Sequence, residues 1–273
     1  MNQTRIKQYR PYALILFAAF LTACCSLTQN DKVKEIQARG VLLVGATGDY
    51  KPMSFYDSKT DKYVGFDAAL AEDLAASLGV KLQYVKTSWP TLMKDTLDRK
   101  FDLALCGITI TDARKQQALM SIGYLENGKT VLWRAEDAAK YTTLEAIDKK
   151  EVRVMENPGG LNEKFARAHL PNATLTIHNV NEEIPGLVAE GKADVMITEV
   201  LEAEFYASRD NRLAAPLLHA PFTRGQLGAL LPPGNESLLK FVNDFIRQER
   251  EKGRLDELKE IYLRGRSYSA AAE

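Results

Sequence analysis

The chain is poor in cysteine and histidine, has no excess charge of either sign and carries no long hydrophobic run, and each shortage removes a class of function. Of its three cysteines, Cys24 and Cys25 are adjacent near the N-terminus, which leaves Cys106 alone in the body. One thiol cannot close an internal disulfide, even in an oxidising compartment. His169, His178 and His219 are scattered without the spacing of metal ligands, so neither a metal nor a cofactor is indicated. Lysine and arginine number 36 against 36 aspartates and glutamates, and no basic stripe interleaves with aromatics, which argues against a nucleic-acid partner. The apolar run from Tyr12 to Leu21 is too short to span a bilayer.

What is present begins with the ends of that run. Arg5, Lys7 and Arg10 precede it, which is the order of an export signal. Leu21-Thr22-Ala23-Cys24 follows and resembles the lipobox of bacterial lipoproteins, in which cleavage before the cysteine leaves it as an acylated N-terminus. On that reading residues 1–23 are the signal, Cys24 is lipidated, 24–34 form a linker to the membrane, and the protein works in the periplasm or cell envelope. An ordinary secretory cut site is the other reading, and Cys25 keeps it open. Removal of 1–23 takes away three basic residues and no acidic ones, so the balance becomes 33 to 36 and the mature body is mildly acidic.

About 250 mature residues suit one large or two modest domains, and the periodicity favours two. Short β-rich runs alternate with amphipathic segments: a strand from Val41 to Ala46, a helix from Phe66 to Leu78, a strand from Lys81 to Val85, a helix from Trp89 to Arg99 and a strand from Leu103 to Leu105. Leu70, Leu74 and Leu78 give the first helix its apolar face, while Glu72 and Asp73 point away. A second set follows: strands from Thr130 to Arg134, Val152 to Met155, Thr174 to His178 and Asp194 to Thr198, with helices around Thr143 to Ile147, Gly160 to Leu170 and Glu182 to Glu190. The pattern predicts mostly parallel sheets flanked by helices. A strand from Gly225 to Leu231 and helices from Glu236 to Glu251 and Leu255 to Leu263 remain, which predicts that the end of the chain returns to the first lobe. Two connections then cross between lobes, with a cleft between. The boundaries expected are 35–128 with 225–268 for lobe 1, 129–224 for lobe 2 and 269–273 for a tail.

Asn157-Pro158-Gly159-Gly160-Leu161-Asn162-Glu163-Lys164-Phe165 stands directly after the run Val152 to Met155. A strand that runs through Pro-Gly-Gly into a helix leaves free backbone N–H groups at the helix start, where the dipole adds partial positive charge and an anion can sit. Earlier in the chain, Gly40-Val41-Leu42-Leu43-Val44, Asp49-Tyr50-Lys51-Pro52, Gly65-Phe66-Asp67, Phe101-Asp102-Leu103-Ala104, Gly107-Ile108-Thr109 and Arg114 together resemble the polar amino-acid family of periplasmic solute-binding proteins. The resemblance covers nearly the whole mature chain and implies a type II periplasmic-binding fold, α/β and two-lobed, with a hinge. Thr47 to Pro52, Thr87-Ser88-Trp89-Pro90, Tyr124 to Thr130, Asn157 to Ala166 and Gly191 to Met196 are more specific and are similar to the cyclohexadienyl dehydratases, which form phenylpyruvate from prephenate and phenylalanine from arogenate.

The residue types suit that chemistry. Prephenate carries two carboxylates and a hydroxyl on a ring that becomes aromatic as water and carbon dioxide leave, so the protein must hold anions and supply a proton. Arg114 suits one carboxylate through two parallel hydrogen bonds, aided by the backbone beside Gly107 and Thr109. The N–H groups at Gly160, Leu161 and Asn162, with Asn157 nearby, suit the second; Trp89 and Tyr50 supply an apolar wall, and Asp49 falls in the same motif. The strand ending at Thr198 delivers Glu199 to the side where open α/β sheets bind ligands, and Glu202 follows one helical turn later if a helix starts there. The family's general acid matches Glu202, and Lys129, in the hinge motif, is expected to orient the hydroxyl or hold Glu202.

Taken singly, Glu202 reads as an ordinary favourable charge early in a helix, Lys129 as a surface lysine and Arg114 as part of a capped helix. Their occurrence together and in family order is what assigns them. Cys106, Leu161 and Glu199 depart from the family's Ser, Thr and Asp, changes that bear on anion binding and substrate choice more than on proton donation. The competing expectation is a receptor that passes an amino acid to an ABC permease and performs no chemistry, since fold does not decide function.

Overall fold

The computed structural model describes residues 31–137 and 139–264; the expected export signal, the expected lipidation site Cys24 and the expected tail at 269–273 lie outside the described residues. Among the described residues no helix is long and apolar enough to cross a membrane. The Lys32–Arg39 helix, capped by Asp31 and ended by left-handed Gly40, begins inside the segment expected to be a linker and buries Ile36. The Phe66–Leu78 helix forms as its periodicity predicts, burying Leu70, Leu74 and Leu78. It starts at Gly65 because the chain passes so close to the preceding hairpin that a Cβ there would lie 2.4 Å from the Met53 carbonyl oxygen.

Two five-stranded sheets carry the molecule. In the first, Lys81–Lys86, Val41–Ala46 and Leu103–Ala104 run parallel, and Leu230–Leu231 and Leu119–Met120 complete the sheet with antiparallel pairings. The second repeats that order with Thr174–Ile177, Arg153–Glu156 and Val195–Glu199 parallel, then Lys129–Arg134 and Leu213–Ala214 antiparallel. Each sheet is thus mostly parallel, as expected, with four strands running one way and only the fourth reversed. The fourth strand of each sheet enters from an interlobe connection instead of from a βαβ crossover, so it arrives in the opposite direction.

Each sheet is covered on both faces. Leu42, Val44 and Leu103 pack with Leu70, Leu74, Val242, Phe245 and Ile246, which places the Glu236–Glu251 helix on the first sheet. Val131, Trp133, Val154 and Ile197 pack against Ala166 and Leu170 on one face of the second sheet, and Met155 and Met196 against Ile184, Val188 and Ala203 on the other. Burial of apolar side chains on this scale is the main force holding either lobe together.

The segment from Gly225 to Leu231 is two short strands, not one. Gly225–Leu227 pairs with Leu125–Asn127 in a two-stranded ribbon, whereas Leu230–Leu231 joins the first sheet. The chain changes partner at Gly228, where a Cβ would meet the Ile110 side chain at 2.8 Å. The ribbon is the crossing between lobes. At its far end Gly128 is required, because a Cβ would lie 2.0 Å from the Thr223 carbonyl oxygen. The helix expected from Trp89 to Arg99 is shorter, Leu92–Leu97: Pro90 disfavours helical geometry at Trp89, so the chain turns there first.

Candidate functional site

The carboxyl ends of the parallel strands of both sheets frame a pocket between the lobes. The first lobe lines it with Tyr50, Trp89, Gly107, Thr109 and Arg114. Lys129, Asn157, Gly160, Leu161, Asn162, Asn181, Glu199 and Glu202 line the other side. Every residue expected from the sequence is brought there except Asp49, and Asn181 is the one not foreseen.

Asp49 sits behind the wall. Its Oδ1 accepts from the Trp89 indole N–H at 3.0 Å, and its backbone oxygen accepts from Asn181 Nδ2 at 3.0 Å. Asp49 and Tyr50 are successive residues of one strand, so their side chains point to opposite faces and Tyr50 takes the one toward the cavity. Asp49 therefore orients Trp89, whose ring meets Tyr50 edge-on at 5.9 Å between centroids. The approach of Tyr50 also explains Gly107, whose φ is +75° and where a Cβ would fall 2.2 Å from the Tyr50 ring.

The Gly107 N–H is not available for a ligand, because it donates to Asp67 Oδ2 at 2.5 Å, an oxygen that also accepts from Tyr124. The Thr109 amide differs. Thr109 forms an isolated bridge with Leu227 in which Gly228 N–H donates to Ile108 and Ile110 N–H to Gln226, so the amide of Thr109 itself takes no part. Beside it Arg114, in the one-turn helix Asp112–Lys115 capped by Thr111, is only 9% exposed. Its Nη1 donates to the Thr109 carbonyl at 2.6 Å, and among the described residues no carboxylate pairs with it. Burial lowers its affinity for the proton, opposed by the charge on Glu199. A buried guanidinium left without an anion is a receptor for one.

Glu199 ends the Val195–Glu199 strand and is saturated. Oε1 accepts from Lys129 Nζ and Thr109 Oγ1, both at 2.7 Å, and Oε2 from the Tyr50 hydroxyl and Asn127 Nδ2, both at 2.8 Å. Burial alone would push its carboxyl up, but the Lys129 ammonium and these hydrogen bonds outweigh it and hold it below the ordinary value. Lys129 faces Glu199 directly across the antiparallel ladder and also donates to Asn162 Oδ1 at 2.6 Å. The expectation that Lys129 might hold Glu202 is thus corrected: the register delivers it to Glu199.

Glu202 lies in the first turn of the Val200–Ala207 helix and is 1% exposed. It interacts with Thr198 Oγ1 through Oε2 and accepts from Asn181 Nδ2 at 2.9 Å through Oε1. Burial pushes its carboxyl up to about 8; the two hydrogen bonds oppose the shift, and the charges of Glu199 and Asp49 add to it. At neutral pH it is a protonated acid facing a cavity. Asn181 was hidden in the sequence because Asn before Glu182-Glu183 reads as the cap of the following helix; in the structure it starts a 3-10 turn, and its Oδ1 is buried without a partner.

Beyond Met155 the strand, turn and helix form in the expected order. The Leu161–His169 helix starts at Gly160 with no side-chain cap, so the amides of its first turn lack intrahelical acceptors at the cavity edge. Cys106 is buried and its thiol is raised to about 12 by that burial, which makes it an inert core residue. Among the described residues no group of three His, Cys, Asp or Glu side chains is arranged for a metal.

Fold and site together define a two-lobed, small-molecule-binding class of protein with a pocket between its lobes. The chain belongs to the bacterial extracellular solute-binding proteins, family 3, which it matches over residues 42–265. It is 40% identical to the cyclohexadienyl dehydratase of Pseudomonas aeruginosa over 94% of this chain and 96% of that one. It is 30% identical to the L-cystine-binding protein TcyJ of Escherichia coli, with 87% and 88% covered. The crystal structure of an ancestral amino acid-binding protein, AncCDT-1, described as a precursor of cyclohexadienyl dehydratase, superimposes with a TM-score of 0.78 at 34% identity, covering 85% of this chain and 99% of that one.

Proposed function

We propose that the protein is a carbon-oxygen lyase of the cell envelope that converts prephenate to phenylpyruvate, or L-arogenate to L-phenylalanine, with loss of water and carbon dioxide. The observation that carries this is Glu202, a buried acid protonated at neutral pH on one wall of a cavity, with Arg114 on the other wall lacking an anion. The curated dehydratase relative supports the substrate class.

In the reaction, Arg114 and the Thr109 amide hold one carboxylate and the first-turn amides of the Leu161–His169 helix hold the other, so both are fixed before chemistry begins. Glu202 gives its proton to the ring hydroxyl as the carbon–oxygen bond breaks toward oxygen. The electrons of the carbon–carboxylate bond flow into the ring, releasing carbon dioxide and leaving the aromatic product. Glu202, now a carboxylate, regains a proton from solvent. Asn181 and Thr198 hold the acid in place. Lys129 neutralises Glu199, so that Glu202 faces an ion pair instead of a lone negative charge. A lipid anchor at Cys24 would tether the enzyme to a membrane. The test is purified protein with prephenate, followed by phenylpyruvate absorbance. Formation above the spontaneous background supports the lyase; tight binding of an ordinary amino acid with none makes the protein a receptor serving a permease.

A further inference from the structure

Glu156 is 0% exposed and does not line the cavity. It ends the Arg153–Glu156 strand, one residue before Asn157 and the Pro-Gly-Gly turn. That strand is in register with Val195–Glu199 only at Val154 and Val195. Beyond that pair the Ile197 N–H donates to the carboxyl of Glu156 itself, to Oε1 at 2.6 Å. A side chain thus spans the place where the backbone ladder stops. Ile197 directly precedes Thr198, whose hydroxyl grips Glu202, and Glu199 follows. The other carboxyl oxygen, Oε2, is buried with no partner.

A buried carboxyl that gives only one oxygen to one N–H is an expensive way to satisfy an amide, because a leucine with a shifted ladder would avoid the desolvation. Its position explains what it achieves. It ties the strand that carries the acid to the turn that seats a substrate carboxylate, through a single side chain.

We infer that Glu156 is a positioning residue for the reaction, fixing the Ile197–Thr198 backbone, and through it the Glu202 carboxyl, relative to the anion seat at Gly160. This rests on the dehydratase reading above. Glu156 acts as a hydrogen-bond acceptor and gives no proton to substrate. The charged groups that bear on it are Lys129, Glu202 and Glu163, and those that bear on Glu202 are Glu199 and Asp49.

The test compares Glu156→Leu with Glu156→Gln in the full chain. The glutamine keeps an acceptor for Ile197 and is expected to turn over prephenate within about threefold of the parent, whereas the leucine loses roughly tenfold or more in kcat with KM changed much less. The alkaline limb of kcat also moves in the leucine variant, because the acid is held differently, a change that mere loss of stability does not produce. Equal impairment of both variants, or a leucine variant with unchanged kcat and pH limb, overturns the assignment. Should Glu156→Leu not fold, hydrogen exchange of the Ile197 amide in the parent and in Glu156→Gln decides: slow exchange in both is expected, and fast exchange in the parent overturns it. If the parent forms no phenylpyruvate, the dehydratase reading fails separately, and the Glu202 titration, isolated by infrared difference against Glu202→Gln, still reports whether Glu156→Leu shifts it.

Discussion

The two lobes are built on the same five-strand plan and use it to opposite chemical ends. In both, the decisive group lies on the helix that follows the third parallel strand. After Leu103–Ala104 the first lobe presents Arg114, a buried cation without an anion; after Val195–Glu199 the second presents Glu202, a buried acid that keeps its proton. Burial disfavours charge in both, but the outcomes differ. A guanidinium stays protonated at any physiological pH, so its burial creates a demand for a counter-ion. A carboxyl meets the same burial by retaining a proton, which creates a donor. On the proposed reading, one scaffold thus supplies a cation for substrate binding from the first lobe and the acid from the second, beside the second lobe's own anion seat.

That division is broken most directly at Arg114. Arg114→Ala is expected to weaken binding of prephenate by about 2 to 5 kcal/mol, because a desolvated carboxylate loses its charged partner. Calorimetry with Glu202→Gln as the background avoids turnover during the measurement, and unchanged affinity would remove Arg114 from substrate binding. The next largest effect belongs to the other lobe. Glu202→Gln preserves the size of the side chain and an acceptor for Asn181 but has no transferable proton, so kcat should fall by roughly a hundredfold or more with KM changed little. A variant that loses affinity while retaining kcat would reverse the roles of the lobes.

How much of this was legible in the sequence depended on whether a residue's role was set locally. The Phe66–Leu78 and Glu236–Glu251 helices follow from their periodicity, and the anion seat follows from Pro-Gly-Gly between a strand and a helix. Glu199 was reached from its place at the carboxyl end of a strand, whereas Arg114 and Glu202 were assigned through resemblance to the family. What stayed hidden was pairing across distance. Lys129 meets Glu199 because of a register between strands 70 residues apart, and Asn181 reaches both Glu202 and the backbone of Asp49 across the cleft. Asp49 was misplaced for the converse reason, since strand alternation assigns Asp49 and Tyr50 to different faces without saying which face meets the cavity. The break at Gly228 likewise depends on two partners in different sheets.

The pH dependence sharpens the comparison further. Because the acid must be protonated to act, activity should fall on the alkaline side as pH passes about 8, where Glu202 ionises. A site that needed Glu202 as an anion would lose activity on the acid side instead. Arg114 imposes no limb in this range, so a profile measured on the Lys129→Met variant should move that limb without creating a second one. With Lys129 gone, Glu199 faces Glu202 unneutralised, and the acid's proton is held more firmly. A limb that stays in place would show that the Lys129–Glu199 pair does not act on Glu202.

The last comparison concerns stability, and its pH dependence separates a closed cleft from one that opens freely. Glu202 rises from an ordinary value of 4.5 to about 8 on folding, so between those values the folded protein binds a proton that the unfolded chain does not. Stability from this group is therefore complete at acid pH and is lost as pH climbs toward 8. Glu202→Gln carries no such proton. Asp67, raised to about 7 by burial, and Glu156, raised as well, titrate in both proteins and cancel in the difference. The Tm of the variant minus that of the parent should consequently grow between acid pH and pH 8 by on the order of ten degrees and then level off. If the ligand-free cleft opens freely in solution, water reaches Glu202 in the native state, its folded value falls back toward 4.5 and the difference stays flat. A flat difference together with an intact alkaline limb in kcat would mean that the acid is raised only once substrate has closed the lobes over it.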